Sequence, residues 1–75
     1  MKLYPNPATD IVTVETDLQT IEVASVFDNM GRKMGEIVLN PNTKNRIDIS
    51  KLADGIYFVR LHSHAISGSF MKIGK

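Results

Sequence analysis

Apolar and polar positions alternate with a period of two along most of this chain, and nowhere with the period of a long amphipathic helix. Residues 10–15 read Asp-Ile-Val-Thr-Val-Glu, a β-branched run bounded by turn-forming residues, which predicts a strand. Residues 21–28 carry apolar side chains on both parities (Ile21, Val23 and Phe27; Ala24 and Val26), which predicts a second strand with neighbours on both faces. Asn29-Met30-Gly31-Arg32 supplies a turn, with Gly31 free to take positive φ, and residues 33–39 return as the other arm of a hairpin. Residues 40–45 are rich in Asn and hold Pro41, the composition of a loop. Residues 46–50 alternate again, turning Ile47 and Ile49 to one side. Residues 50–55 predict a single helical turn, with Ser50 as N-cap and Gly55 ending it. Residues 56–62 form the strongest strand, with Tyr57, Val59 and Leu61 on one face and Ile56, Phe58, Arg60 and His62 on the other. Residues 69–73 make the last strand, and residues 1–4 add a seventh if they pair.

Six to seven short strands with no covering helix predict an all-β fold of two antiparallel sheets packed face to face. The expected core is Val12, Val14, Val26, Ile47, Ile49, Leu52, Tyr57, Val59 and Leu61. A length of 75 residues allows one domain, taken as residues 1–75, with residues 1–9 leading into a sandwich over 10–75. Such a chain buries only about 60–65% of its unfolded surface. The absence of cysteine removes disulfide staples and thiolate metal sites. Nine Lys and Arg against eight Asp and Glu leave a net charge of +1 with no basic block, so no nucleic-acid partner is expected. The longest apolar run, Ile56 to Val59, is far short of the roughly 18 residues of a membrane helix, so no membrane insertion is expected either.

Enzymatic constellations are thin. There is no cysteine nucleophile, no Gly-x-Ser-x-Gly elbow and no phosphate-cradling glycine loop. His62 and His64 share a strand parity and could reach one zinc, but no spacing nominates the further ligands that zinc needs. Asp10, Asp28, Asp48 and Asp54 sit near turns without EF-hand spacing, as expected of residues that bond local backbone N–H groups. The expectation is therefore no catalysis, no metal and no cofactor. Met30 and Met34 flank the hairpin turn, where packing explains them.

Four motifs in register carry a more specific signal. They are Tyr4-Pro5-Asn6-Pro7-Ala8-Thr9-Asp10, then Phe27-Asp28-Asn29-Met30-Gly31-Arg32-Lys33-Met34, then residues 47–61 with Leu52-Ala53-Asp54-Gly55-Ile56-Tyr57-Phe58-Val59, and finally Phe70-Met71-Lys72-Ile73. In this order and spacing the chain resembles the type A C-terminal sorting domain of the type IX secretion system, found on cargo proteins of the Bacteroidetes. Two positions differ from the usual pattern: Ser69 stands where a basic residue is common, and Gly74 precedes the final lysine.

The resemblance implies an immunoglobulin-like antiparallel β-sandwich that acts as an address label. Attached upstream cargo would pass from the periplasm across the outer membrane to the cell surface or medium. The partners implied are the translocon and a sortase-like surface peptidase that removes the label. The segment is read as the signal without its cargo. Recognition would fall on Gly55, Ile56, Tyr57, Phe58, Val59, Gly31, Lys72 and Lys75. The residues themselves add that Pro5 and Pro7 fix φ and remove two donors, so the leading segment cannot extend a sheet. Free edge strands could also support a homodimer. The competing class is a small binding or adhesion module, for carbohydrate or protein, appended to a secreted enzyme.

Overall fold

The structure is a computed structural model that describes residues 1–41, 44–62 and 67–74. Among these residues the regular elements are all strands: β1 (Lys2–Tyr4), β2 (Ile11–Glu15), β3 (Glu22–Asp28), β4 (Lys33–Leu39), β5 (Lys44–Asp48), β6 (Gly55–Leu61) and β7 (Ser67–Lys72). Each expected strand is present, with ends moved by one or two residues, and the N-terminal strand pairs. The strands form two antiparallel sheets, β1-β2-β5 and β4-β3-β6-β7. Period-two patterning dictates this: each strand has one face that must leave water, and two facing sheets bury both sets at once. Constant-type immunoglobulin domains place the fourth strand on the sheet of the first, second and fifth. Here β4 lies beyond β3 on the other sheet, making that sheet one strand wider.

The inner faces supply Val12 and Val14 from β2, Ala24 and Val26 from β3, Leu39 from β4, Ile47 from β5, Tyr57, Val59 and Leu61 from β6 and Phe70 from β7. Eight of the nine expected core residues are buried; Leu52 is half-buried and packs against the cluster from the side. Ala8, Leu18, Ala24, Leu39 and Phe70 complete the core. The Phe70 ring stacks on Tyr57 with centroids 5.6 Å apart.

The leading segment, expected to stand before the sandwich, is built into it. Leu3 of β1 pairs with Val14, and Ala8 is 1% exposed. After β1 the chain crosses to the free edge of β7 and closes it with three hydrogen bonds. Ala8 N–H donates to the Met71 carbonyl (2.8 Å), Ile73 N–H donates to the Ala8 carbonyl (2.9 Å), and Met71 N–H donates to Asn6 Oδ1 (2.9 Å). The prolines do keep the segment out of a regular sheet. Ala8, which follows them, makes the bonds they cannot.

The helical turn expected over residues 50–55 is a single tight turn, Leu52 N–H to the Ile49 carbonyl at 3.0 Å. Its cap is Asp48, whose Oδ1 accepts from both the backbone N–H (2.9 Å) and the hydroxyl (2.7 Å) of Ser50. An Asx turn needs no further helical residues to be satisfied, which is why the helix does not propagate.

Candidate functional site

Of the residues singled out for recognition, β6 contributes five, and its alternation divides them. Ile56 and Phe58 point outward and are 44% and 43% exposed, while Tyr57 and Val59 are core at 4% and 0%. Tyr57 lies near the start of β6, and its hydroxyl donates back to the Ala53 carbonyl at 2.6 Å. That bond makes it a tyrosine corner, the device by which sandwiches of this class pin the crossing between sheets. Gly55 enters β6 at φ +156°, a backbone that L side chains rarely adopt. Lys72, expected at the surface, lies on the inner parity of β7 at 4% exposure, with Nζ donating to the Ile73 carbonyl at 3.3 Å. Tyr57, Val59 and Lys72 therefore serve the fold and cannot be touched by a partner of the folded domain. Lys75 lies outside the described residues, as does His64 of the possible zinc pair.

Gly31 sits at φ +83° in the β3–β4 turn, fully in solvent reach. Asp28 organises that turn. Its Oδ1 accepts from the N–H groups of Met30 (2.9 Å) and Arg32 (2.8 Å), and its Oδ2 accepts from Arg32 Nε (2.7 Å). Burial pushes the Asp28 carboxyl up, but these hydrogen bonds and the Arg32 charge outweigh it and hold the group below the usual carboxylate range. The turn is thus fixed by local chemistry, and its outward surface is constant in shape.

Strand register brings Gly31 and Phe58 together. Phe27 of β3 lies directly opposite Phe58 of β6. Both line an open depression of about 380 Å³ with Asp28, Asn29, Gly31 and Arg60. A second depression of about 350 Å³ continues along the same face past Phe27, Lys33, Arg60 and His62. Toward the other end, Ile56 faces Met71 across the ladder, and Ile73 follows, each 40% exposed or more. The outer face of the wider sheet is therefore an apolar stripe margined by Arg60 and by the Lys33–Glu36 ion pair. Arg60 was placed on the Phe58 face from sequence, whereas Phe27, Met71 and Ile73 were not singled out as contact residues. Parity alone suffices for Arg60, but Phe27 and Met71 need the register.

Ser25, His62 and Glu36 meet on this face, with Ser25 Oγ at 2.5 Å and Glu36 Oε2 at 3.5 Å from the same ring nitrogen, Nε2 of His62. A nucleophilic triad needs the carboxylate on the far nitrogen, so this grouping does not have that geometry. No cluster of three or more His, Asp or Glu that could hold a metal occurs among the described residues, nor does any helix long and apolar enough to cross a membrane.

The family description "Secretion system C-terminal sorting domain" matches residues 2–73. The chain belongs to that family. No curated protein and no solved structure matches it. As a sorting domain it is a C-terminal signal for type IX secretion, taking attached protein across the outer membrane. Its four sequence motifs have four identifiable structural jobs: the Tyr4–Asp10 stretch seals β7, the Asp28–Arg32 stretch builds the rigid turn, the Asp54–Tyr57 stretch makes the tyrosine corner, and Phe70 fills the core.

Proposed function

We propose that this sorting domain is read in its folded form, on the outer face of β3, β6 and β7 beside the Gly31 turn. The observation that carries the reading is the shared depression. Two residues separated by 27 positions, Gly31 and Phe58, come together there on a surface fixed by the Asp28 hydrogen bonds. Exposed apolar side chains with a polar and charged rim are typical of protein contact surfaces. The translocon is the partner, cargo reaches it from the periplasm, and a sortase-like peptidase then cuts upstream of β1 and releases mature cargo at the surface. Aspartate at Phe58 or at Ile56 tests this in a periplasmic reporter fused to residues 1–75, in a host with the type IX system. Both side chains are nearly half in water, so the fold should survive while the reporter stays in the periplasm. Export at the unsubstituted level from a folded Phe58→Asp, Ile56→Asp double variant would refute the assignment of this face. The same reporter in a host lacking the translocon sets the zero of export.

A further inference from the structure

The relocation of β4 leaves an opening on the side of the sandwich opposite the sealed β7 edge. β5 is the last strand of the narrower sheet, and no strand of the described residues lies beyond it. β4 lies under the space beside it, so the two strands bound a groove. It has a volume of about 170 Å³, and Gly35, Ile37, Ile47, Ile49 and Leu52 supply its apolar lining. An apolar cavity of about 150 Å³ admits a benzene ring, so this one has room for an aliphatic side chain. Gly35 deepens it: a Cβ there would meet nothing within 4 Å.

The backbone of β5 faces the same opening. Ile49 N–H donates to the Asp10 carbonyl at 2.8 Å, which fixes the phase of the antiparallel ladder. Residues 45, 47 and 49 therefore turn their peptide groups to β2, and Lys44, Arg46 and Asp48 turn theirs to the open edge. The side chains of Arg46 and Asp48 stand on the outer face, where β2 sets uncharged Thr13 and Ile11 directly opposite them, with Glu15 diagonal to Arg46 and the Lys51 charge acting on Asp48.

We propose that this side accepts an extended peptide of another chain as an eighth strand, antiparallel to β5, with the pattern basic–apolar–acidic–apolar. Its basic residue lies opposite Asp48 and its acidic residue opposite Arg46, while the intervening apolar side chain enters the groove over Gly35 and Ile37. Hydrogen bonds to Arg46 and Asp48 supply affinity, and the alternating side chains supply selectivity. The β5 sequence Arg46-Ile47-Asp48 would satisfy the same pattern from a second copy. A second folded copy, however, would carry its own β4 into the layer that β3 and β4 already fill, so a single strand fits where a sandwich does not. The inference is independent of how the domain is read for export.

The test uses the peptide acetyl-Ser-Lys-Val-Glu-Val-Thr-Ser-amide and its charge-swapped isomer, acetyl-Ser-Glu-Val-Lys-Val-Thr-Ser-amide, titrated into the isotopically labelled domain. The first peptide should shift the amide resonances of residues 44–48 and slow exchange at the Arg46 and Asp48 amides. The isomer should bind at least tenfold more weakly. Gly35→Leu should fill the groove, keep the unfolding midpoint and remove binding. Equal binding of the two peptides, shifts confined to β6 and β7, no binding at millimolar peptide, or binding undiminished in folded Gly35→Leu would each overturn the proposal. Sedimentation showing a dimer through β5 would overturn the choice of occupant.

Discussion

The two edges of the sandwich are finished in opposite ways. At the β1–β7 edge the chain closes on itself: Asn6 and Ala8 bond β7, Leu3 lies over Gly68, and Phe70 is 1% exposed beneath. At the β4–β5 edge the wider sheet overhangs the narrower, leaving Ile37 half-buried, Gly35 open and the outward peptide groups of Arg46 and Asp48 without a partner strand among the described residues. Both edges face the general hazard of exposed ladders, which invite unwanted pairing. One is covered by chain. The other carries the charges of Lys44, Arg46 and Asp48, a protection that excludes strands of the wrong charge pattern and admits complementary ones. In a domain this small the contrast locates stability on one side and freedom to interact on the other.

Several substitutions would break or sharpen that contrast. The largest effect is expected from truncating the stacked ring: Phe70→Ala should cost about 3–5 kcal/mol in denaturant unfolding, comparable to the whole stability of a small domain. Ile37→Ala, on the open edge, should cost only about 1–2 kcal/mol, because that side chain is only partly buried. Equal losses would mean that the two edges are equally tight. Next, Asn6→Ala removes the acceptor for Met71 N–H and should cost about 1 kcal/mol. Hydrogen exchange should report it as faster loss of protection at Met71 and Ile73, with Ser25 and Val26 unchanged. Two glycines give a finer comparison. A Cβ at Gly68 would approach Leu3 Cδ1 to 2.9 Å, whereas one at Gly35 meets nothing. Gly68→Ala should be neutral to slightly destabilising as the Leu3 tip moves aside, and Gly35→Ala should stabilise by about 0.4–1 kcal/mol through the unfolded chain. The reverse order of midpoints would contradict the packing described.

The smallest effect concerns pH. The folded-state pKa of Asp28 is depressed, so its stabilising contribution is complete above the unfolded carboxylate pKa and is lost as pH falls through the folded value. Thermal midpoints should decline in acid, and Asp28→Asn should flatten that decline. An unchanged acid slope in the variant would assign the pH response to Glu15, Glu36 and Asp48, whose carboxyls are also held low by hydrogen bonds.

Strand identity was legible because the two-residue period is local and each buried face has to be apolar. Residues 56–62 showed their inner and outer faces without any structure. The turn at Gly31 was legible for the same local reason. What escaped was set by distance. Nothing near Asn6 announces that its side chain will meet a backbone group 65 residues away. Lys72 looked like a surface contact because lysine is almost never fully buried, yet it falls on the parity of Phe70 and follows the strand inward. Ser50 looked like a helix cap because the rule for caps weighs residue type, whereas Asp48, two positions earlier, had the stronger acceptor. The recognition set mixed surface with core for a related reason. A signature motif marks what a fold cannot lose, and Tyr57 and Val59 are that kind of residue as much as any contact is.

The bonds from Asn6 and Ala8 to Met71 and Ile73 have one more consequence. They join the start of the sandwich to its last strand, so a polypeptide that stops before Phe70 has neither the ring that completes the core nor the strand that the leading segment must close upon. Such a chain cannot assemble the surface around Gly31 and Phe58 in stable form, whatever protein precedes it. Prematurely terminated cargo would carry no legible address. The order in which a ribosome delivers these residues makes this domain a certificate of complete translation.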